Sequence, residues 1–319
     1  VLAHTNHESP VTSHEMRIAV LGAGAWGTAI SIALAQRHEV TLWVREAGQC
    51  ASMRSARNNE RYLPGFALPA NLVLENDVAA AVAGCELALV AVTTSGLRQT
   101  LHRLREAHCT APVVWLCKGL EKERAKLPHQ VCAEELGADA PCGVLSGPSF
   151  AEEVARGLPT AVTLASSDPG FARAAARELH SATLRVYSTD DVIGVEVAGA
   201  VKNVMAIAAG ICDGLDLGLN ARAALITRGL AEITRLGVRL GGRIETFMGL
   251  AGAGDLILTC TGDLSRNRRV GLRLAQRVPL AVILGELGHV AEGVYSAREV
   301  ARLAEELAVD MPITVAVCR

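Results

Sequence analysis

From Arg17 to Ser188 short apolar runs recur along the chain, at Arg17 to Leu21, Glu39 to Val44, Leu87 to Val92, Val113 to Cys117, Gly143 to Leu145, Thr160 to Ala165 and Leu184 to Tyr187. Helical stretches lie between several of them. Such alternation predicts a mostly parallel sheet covered by helices. In a sheet of this kind the ligand binds outside the carboxyl ends of the strands. Four polar or glycine-rich strand exits converge there: Gly22 to Gly27, Thr93-Thr94-Ser95, Lys118-Gly119 and Ser146-Gly147-Pro148-Ser149. Beyond Thr189 the pattern changes. Asp191 to Ile211, Ala221 to Leu240 and Glu292 to Leu307 carry apolar residues at helical spacing. The predicted architecture is therefore α/β, with a doubly wound domain over 16–190 followed by an all-helical domain over 191–319.

Composition narrows the class. Half of the 319 residues are hydrophobic, and stretches such as Val78 to Val92 are interrupted by Glu86, so no run reaches the roughly 18 to 20 apolar residues of a spanning helix. Val1 to Glu15 is polar and unpatterned and reads as a tag or disordered extension. Nine scattered cysteines form no C-x-x-C pair and sit beside no histidine at ligand spacing. They read as small buried residues of a reducing cytoplasm, and no metal site is expected. A formal charge of −2 and 3% aromatic residues argue against nucleic acid, which needs basic runs and stacking platforms. The expected ligand is a metabolite.

The first strand runs directly into Gly22-Ala-Gly24-Ala25-Trp26-Gly27, a G-x-G-x-x-G turn in strand-turn-helix context. Gly22 permits the tight turn, Gly24 lets backbone approach a pyrophosphate, and Gly27 allows close packing of helix on sheet. The helix N-terminus beyond offers free N–H groups and positive dipole to an anion. This predicts a Rossmann-type dinucleotide site. At the end of the second strand an NAD-specific fold places an acid on the ribose 2′-hydroxyl. Here stands Arg45, suited to a 2′-phosphate, so NADPH is favoured, while Glu46 leaves NADH open and a solvated loop charge is the other reading of Arg45.

In the helical half, Val192 to Ile211 is nearly all small or apolar and contains Glu196, Lys202 and Asn203 as its polar interior residues. A buried cation is costly unless paired or working. Lys202 is thus the candidate catalytic group, a structural Glu-Lys pair being the alternative. Asp255, after Gly254, could orient that ammonium or a substrate hydroxyl. Ser265 is placed to cap a helix running to about Arg277 whose first residues, Arg266 and Asn267, could hold a phosphate. A solvated basic helix face is the other reading.

These blocks together, with Cys-Lys-Gly-Leu at Cys117, Ser-Gly-Pro-Ser-Phe-Ala-Glu-Glu at Ser146, Gly-Ala-Val-Lys-Asn-Val at Gly199 and Ala291-Glu292-Gly293, resemble the bacterial NAD(P)-dependent glycerol-3-phosphate dehydrogenases over Met16 to Arg319. The resemblance implies reduction of dihydroxyacetone phosphate to sn-glycerol 3-phosphate, for glycerophospholipid synthesis. It implies Lys202 as general acid and base, and Lys118, Gly147, Ser149, Asp255, Ser265, Arg266 and Asn267 as substrate contacts. Ala25, Trp26, Arg45, Lys118, Ala151, Arg266, Val290 and Glu292 would line the cofactor beside Gly22, Gly24 and Gly27. Two departures stand out: Ala253, where a larger aliphatic is expected, and an end at Cys318-Arg319 that suggests a disordered or trimmed C-terminus. A 3-hydroxyacid dehydrogenase and an idle nucleotide-sensing protein on the same fold are the rival readings. A homodimer through the apolar helical half is expected.

Overall fold

The structure, a computed structural model, describes residues 14–287 and 291–319; most of the Val1 to Glu15 segment and Val290 lie outside the described residues. Among the described residues there are ten strands: β1 (Arg17–Leu21), β2 (Glu39–Trp43), β3 (Asn58–Asn59), β4 (Leu63–Ala67), β5 (Val73–Glu75), β6 (Leu87–Val90), β7 (Val113–Trp115), β8 (Cys142–Ser146), β9 (Thr160–Ala165) and β10 (Leu184–Thr189). Eight of them form one sheet in the order β10-β9-β8-β7-β6-β1-β2-β5, and β3 and β4 make a separate hairpin. The chain reverses direction across the sheet between β1 and β6, which is where a doubly wound fold opens its crevice. Val20, Leu21, Leu89, Val90 and Trp115 are all fully buried, because helices cover both faces.

Seven helices belong to this half: α1 (Ala25–Leu34), α2 (Ala47–Ala56), α3 (Val78–Val82), α4 (Thr94–Glu106), α5 (Pro128–Leu136), α6 (Ala151–Ala155) and α7 (Pro169–Leu179). Every pairing in the large sheet is parallel except β8 with β9, which is antiparallel. The connection between these two strands holds the five-residue α6. The periodicity misses β3, β4 and β5, which are short or half-exposed.

Beyond β10 the described residues hold no strand. The helices are α8 (Val192–Gly214), α9 (Gly218–Arg239), α10 (Ile244–Met248), a π-helical turn at Leu250–Gly254, α11 (Asp255–Thr261), α12 (Arg266–Ala275), α13 (Leu280–Leu287), α14 (Glu292–Glu306) and α15 (Pro312–Cys318). Asp191 caps α8 by accepting the Gly194 N–H at 2.9 Å, and it also accepts the Arg243 N–H at 2.9 Å. The side chain that starts α8 therefore also ties it to the residue preceding α10. By length and apolar composition α8 could cross a membrane, with a mean hydropathy of 1.6, but 89% of that window is buried inside the protein. It is the central post of the helical half, with α9, α11, α12 and α14 packed around it. The α8 and α12 backbones touch: a Cβ added at Gly210 would lie 2.0 Å from the Arg268 carbonyl oxygen. That contact brings the start of α12 against α8.

Candidate active site

A cavity of about 750 Å³ runs between the sheet's carboxyl edge and the helical half. One wall is the glycine turn. Gly22 has φ of +120°, and a Cβ there would meet the Ala91 carbonyl oxygen at 2.7 Å; at Gly27 it would lie 1.9 Å from the Gly22 oxygen. Gly24 is different, because an added Cβ meets no protein atom within 4 Å. Gly22 and Gly27 satisfy packing within the protein, whereas Gly24 leaves space for a ligand. Gly24 is also the extended N-cap of α1 and has no side chain to bond the helix's first N–H groups, so they remain available to an anion. The Trp26 indole, on the same turn, donates to the Ser149 carbonyl at 2.9 Å and lies 3.2 Å from its hydroxyl.

At the outer end, Arg45 lines the cavity and is exposed. Its neighbour Glu46 is paired with Arg61 at 3.1 Å. Arg45 has no ion pair among the described residues, so its guanidinium is unengaged. Glu292 seals the inner side by accepting the Thr94 backbone N–H at 2.9 Å. Ala151, the first residue of α6, also lines the cavity.

The opposite wall carries charge. The Lys202 ammonium is buried and donates to Asp255 Oδ1 and, at 2.8 Å, to the Thr259 hydroxyl. The other carboxylate oxygen, Oδ2, accepts from Lys118 Nζ at 2.7 Å, and Lys118 Nζ also donates to the Gly147 carbonyl at 3.1 Å. One carboxylate thus holds two ammonium groups, one from each half of the chain, and the cluster keeps a net positive charge. Burial lowers the Lys202 pKa to about 8, Lys118 adds to the fall, and Asp255 opposes it without cancelling it. Burial pushes the Asp255 carboxyl up, yet the two ammonium groups outweigh that and hold it below its ordinary value. Asp255 follows the π-helical turn, a departure from regular helix often found at functional sites. A Cβ on Gly252 would lie 2.0 Å from the Phe247 oxygen, so the turn is built on close backbone contact.

Most residues singled out from the sequence meet at this one cavity, with distinct parts. Gly27 packs beneath the turn, and Gly147 contributes a carbonyl that accepts from Lys118 and, at 3.0 Å, from the Ser149 hydroxyl. Ser265 caps α12, its hydroxyl accepting the Arg268 N–H at 3.3 Å. Arg266 projects into the cavity lining beside it. The Asn267 side chain is committed to the protein: it accepts from the Gly293 N–H at 3.1 Å and donates to Asn203 Oδ1 at 3.0 Å, while Asn203 donates to the Lys118 carbonyl at 3.4 Å. Glu196 is not the partner of Lys202. It accepts the His129 backbone N–H at 2.8 Å and pairs with the His129 ring, which fastens α8 to α5. Sequence reasoning passed over Thr259, although its spacing of four from Asp255 marks a shared helix face. Among the described residues no group of His, Cys, Asp and Glu could hold a metal ion.

A dinucleotide crevice facing a buried lysine-carboxylate cluster defines a two-domain nicotinamide-dependent dehydrogenase. The family models described as NAD-dependent glycerol-3-phosphate dehydrogenase N-terminus and C-terminus match residues 17–172 and 191–319, and the chain belongs to that family. Among relatives, the glycerol-3-phosphate dehydrogenase (NAD(P)+) of Dechloromonas aromatica is 63% identical over 302 residues, covering 95% of this chain and 92% of the relative. The crystal structure of glycerol-3-phosphate dehydrogenase from Coxiella burnetii matches with a TM-score of 0.91 at 44% identity, over 95% of this chain and 93% of that one. The glycerol-3-phosphate dehydrogenase of Saccharomyces cerevisiae matches at 0.81 and 29% identity, over 95% of each chain.

Proposed function

We propose that this chain reduces dihydroxyacetone phosphate to sn-glycerol 3-phosphate with NADH or NADPH, NADPH being preferred, and so feeds glycerophospholipid synthesis. The observation that carries the reading is the placement of Lys202, bonded to Asp255 beside Lys118, across one cavity from the glycine turn. The cofactor fits the residues present: Gly24 leaves room for a pyrophosphate, and the Arg45 guanidinium, unengaged at the cavity lining, would suit a 2′-phosphate. Gly22, Gly24, Ala25, Trp26, Gly27, Arg45, Ala151 and Glu292 would hold it, with Lys118 and Arg266 reaching both ligands. Val290, assigned to the same role, lies outside the described residues. When bound, the nicotinamide supplies a hydride.

Lys202 gives its proton to the keto oxygen as the alcohol forms and takes it back in the reverse direction. Lys118 and Lys202 together place positive charge where the alkoxide develops, and Lys202 is buried. Asp255 and Thr259 fix the direction of the Lys202 ammonium. For the phosphate, Arg266 offers a charge-assisted bond. Ser265 occupies only the Arg268 N–H, which leaves the first N–H groups of α12 for the anion. Ser149 borders the same space, its hydroxyl held by the Gly147 carbonyl, and Asn267 acts by holding Asn203 and Lys118 in place.

The dinucleotide-binding unit would span 16–190 and the catalytic unit 191–319. Exposed Leu215, Leu217 and Leu219, at 53, 59 and 71% exposure, support a homodimer through the helical half. Nine free cysteines suit a cytoplasmic enzyme. A steady-state assay following NADPH absorbance tests the reading. Turnover of dihydroxyacetone phosphate is expected, while turnover of a 3-hydroxyacid in its place, or of neither, would overturn it.

A further inference from the structure

Two thiols meet at the amino-terminal edge of the sheet, away from the crevice. Cys85 lies in the turn between α3 and β6, and Cys109 in the turn between α4 and β7. Because β6 and β7 are paired neighbours, the two turns lie side by side, and the sulfur atoms are 3.9 Å apart. Both residues are half-buried. Cys109 also lines a separate cavity of about 300 Å³ that it shares with Arg105, His108, Leu136 and Pro141. We infer that Cys85 and Cys109 form a hydroperoxide-reactive modification site, in which Cys109 is oxidised first and Cys85 resolves it into a disulfide.

The two sulfurs differ in the way such chemistry requires. The sulfur contact with Cys85 and the Ala111 N–H lower the Cys109 pKa against the opposing effect of burial. The Cys85 thiol is pushed up by the same contact and by burial. Thiolates, not thiols, attack peroxides. In the first step Cys109 Sγ attacks the terminal oxygen of a hydroperoxide. The S–O bond forms, the O–O bond breaks, sulfur loses two electrons and the peroxide leaves as an alcohol or water after taking up a proton. In the second, Cys85 Sγ attacks Cys109 Sγ, forming the S–S bond, while the S–O bond breaks and the hydroxide leaves as water with the Cys85 proton.

Bond formation needs the sulfurs to close from 3.9 Å to about 2.05 Å. Both lie in turns rather than in the strands, and each follows a residue with positive φ, Gly84 at +64° and His108 at +51°, so ladder hydrogen bonds need not break. Cys132 and Cys142 also share a hydrogen bond, but Cys132 is fully buried and neither lines the cavity beside Cys109. Cys50, Cys117, Cys212 and Cys260 are buried. The structure thus favours one pair.

The test is peptide mapping of the full chain, saturated with NADP+, after treatment with hydrogen peroxide and alkylation of the remaining thiols. The expected product is a Cys85–Cys109 disulfide. In Cys85→Ser, a 1,3-dione should trap Cys109 as its sulfenic acid; in Cys109→Ser, Cys85 should stay reduced. Closing the loop should also raise the urea midpoint of oxidised over reduced protein, a difference that Cys85→Ser abolishes. A Cys132–Cys142 link in its place, random pairing, or an unmodified Cys109 overturns the inference.

Discussion

The two walls of the cavity bind by opposite means. The Rossmann-type wall presents backbone: a Gly-rich turn, the first N–H groups of α1 and space left at Gly24. The helical wall presents buried side chains, with two ammonium groups on the Asp255 carboxylate. A backbone cradle suits a ligand held unchanged in charge, since fixed N–H groups do not titrate. A group that must gain and lose a proton has to be a side chain, and its burial has to shift its pKa toward the working pH. The difference teaches where substitutions should hurt binding and where they should hurt chemistry.

Removing the titrating group should have the largest effect. Lys202→Ala is expected to lower kcat by roughly 10² to 10⁴-fold while the cofactor Kd stays near wild type. Asp255 still has Lys118 as partner, so the fold should survive. Steady-state rates and a cofactor titration check both halves of this expectation. Near-normal turnover would erase the contrast between the walls.

Arg266→Ala comes next. Loss of a charge-assisted bond worth about 1.5 to 3 kcal/mol should cut kcat/KM for dihydroxyacetone phosphate by roughly ten- to a few hundredfold. Unphosphorylated dihydroxyacetone, with no group for Arg266 to hold, should lose little. An equal fall for both substrates would assign Arg266 to the cofactor or the fold.

The glycines divide the backbone wall itself. At Gly27 an added Cβ meets the Gly22 oxygen at 1.9 Å, so Gly27→Ala should lower the thermal midpoint markedly, a backbone clash belonging to the strongly destabilising class. At Gly24 the same methyl meets nothing of the protein, so Gly24→Ala should keep its midpoint and lose dinucleotide affinity. Similar thermal shifts for the two would remove the distinction between packing glycine and ligand glycine. The smallest expected change is at Arg45. Arg45→Glu should turn the ratio of kcat/KM values from NADPH toward NADH, by about tenfold for one charge-assisted bond, and an equal loss with both cofactors would count against a 2′-phosphate contact.

This contrast also explains what the sequence could disclose. The backbone wall is contiguous, so Gly22 to Gly27 and Arg45 are legible as a motif after a strand. The charged wall is assembled from Lys118, Lys202 and Asp255, which stand 84 and 53 residues apart in sequence. Lys202 is visible as an oddity in an apolar helix, and Asp255 as a carboxylate that could orient it. Their joining depends on the π-helical turn before Asp255 and on α11 packing against α8, which no local pattern encodes. The pairing of Glu196 with His129 is likewise a matter of tertiary packing, because α5 and α8 are distant in the chain. The eight-stranded sheet was legible except at β5, and the separate β3–β4 hairpin and the antiparallel pairing of β9 with β8 were not.

The central claim, that burial poises Lys202 for proton transfer, is tested most directly by the pH dependence of kcat/KM in both directions. Reduction needs the ammonium form and oxidation the free amine. With the Lys202 pKa lowered to about 8, the rate of ketone reduction should fall as pH rises through about 8, and the rate of glycerol 3-phosphate oxidation should rise through the same value. Mirror-image limbs meeting there support the account. A common limb in both directions, or limbs displaced to the roughly 10.4 of an exposed lysine, would contradict it.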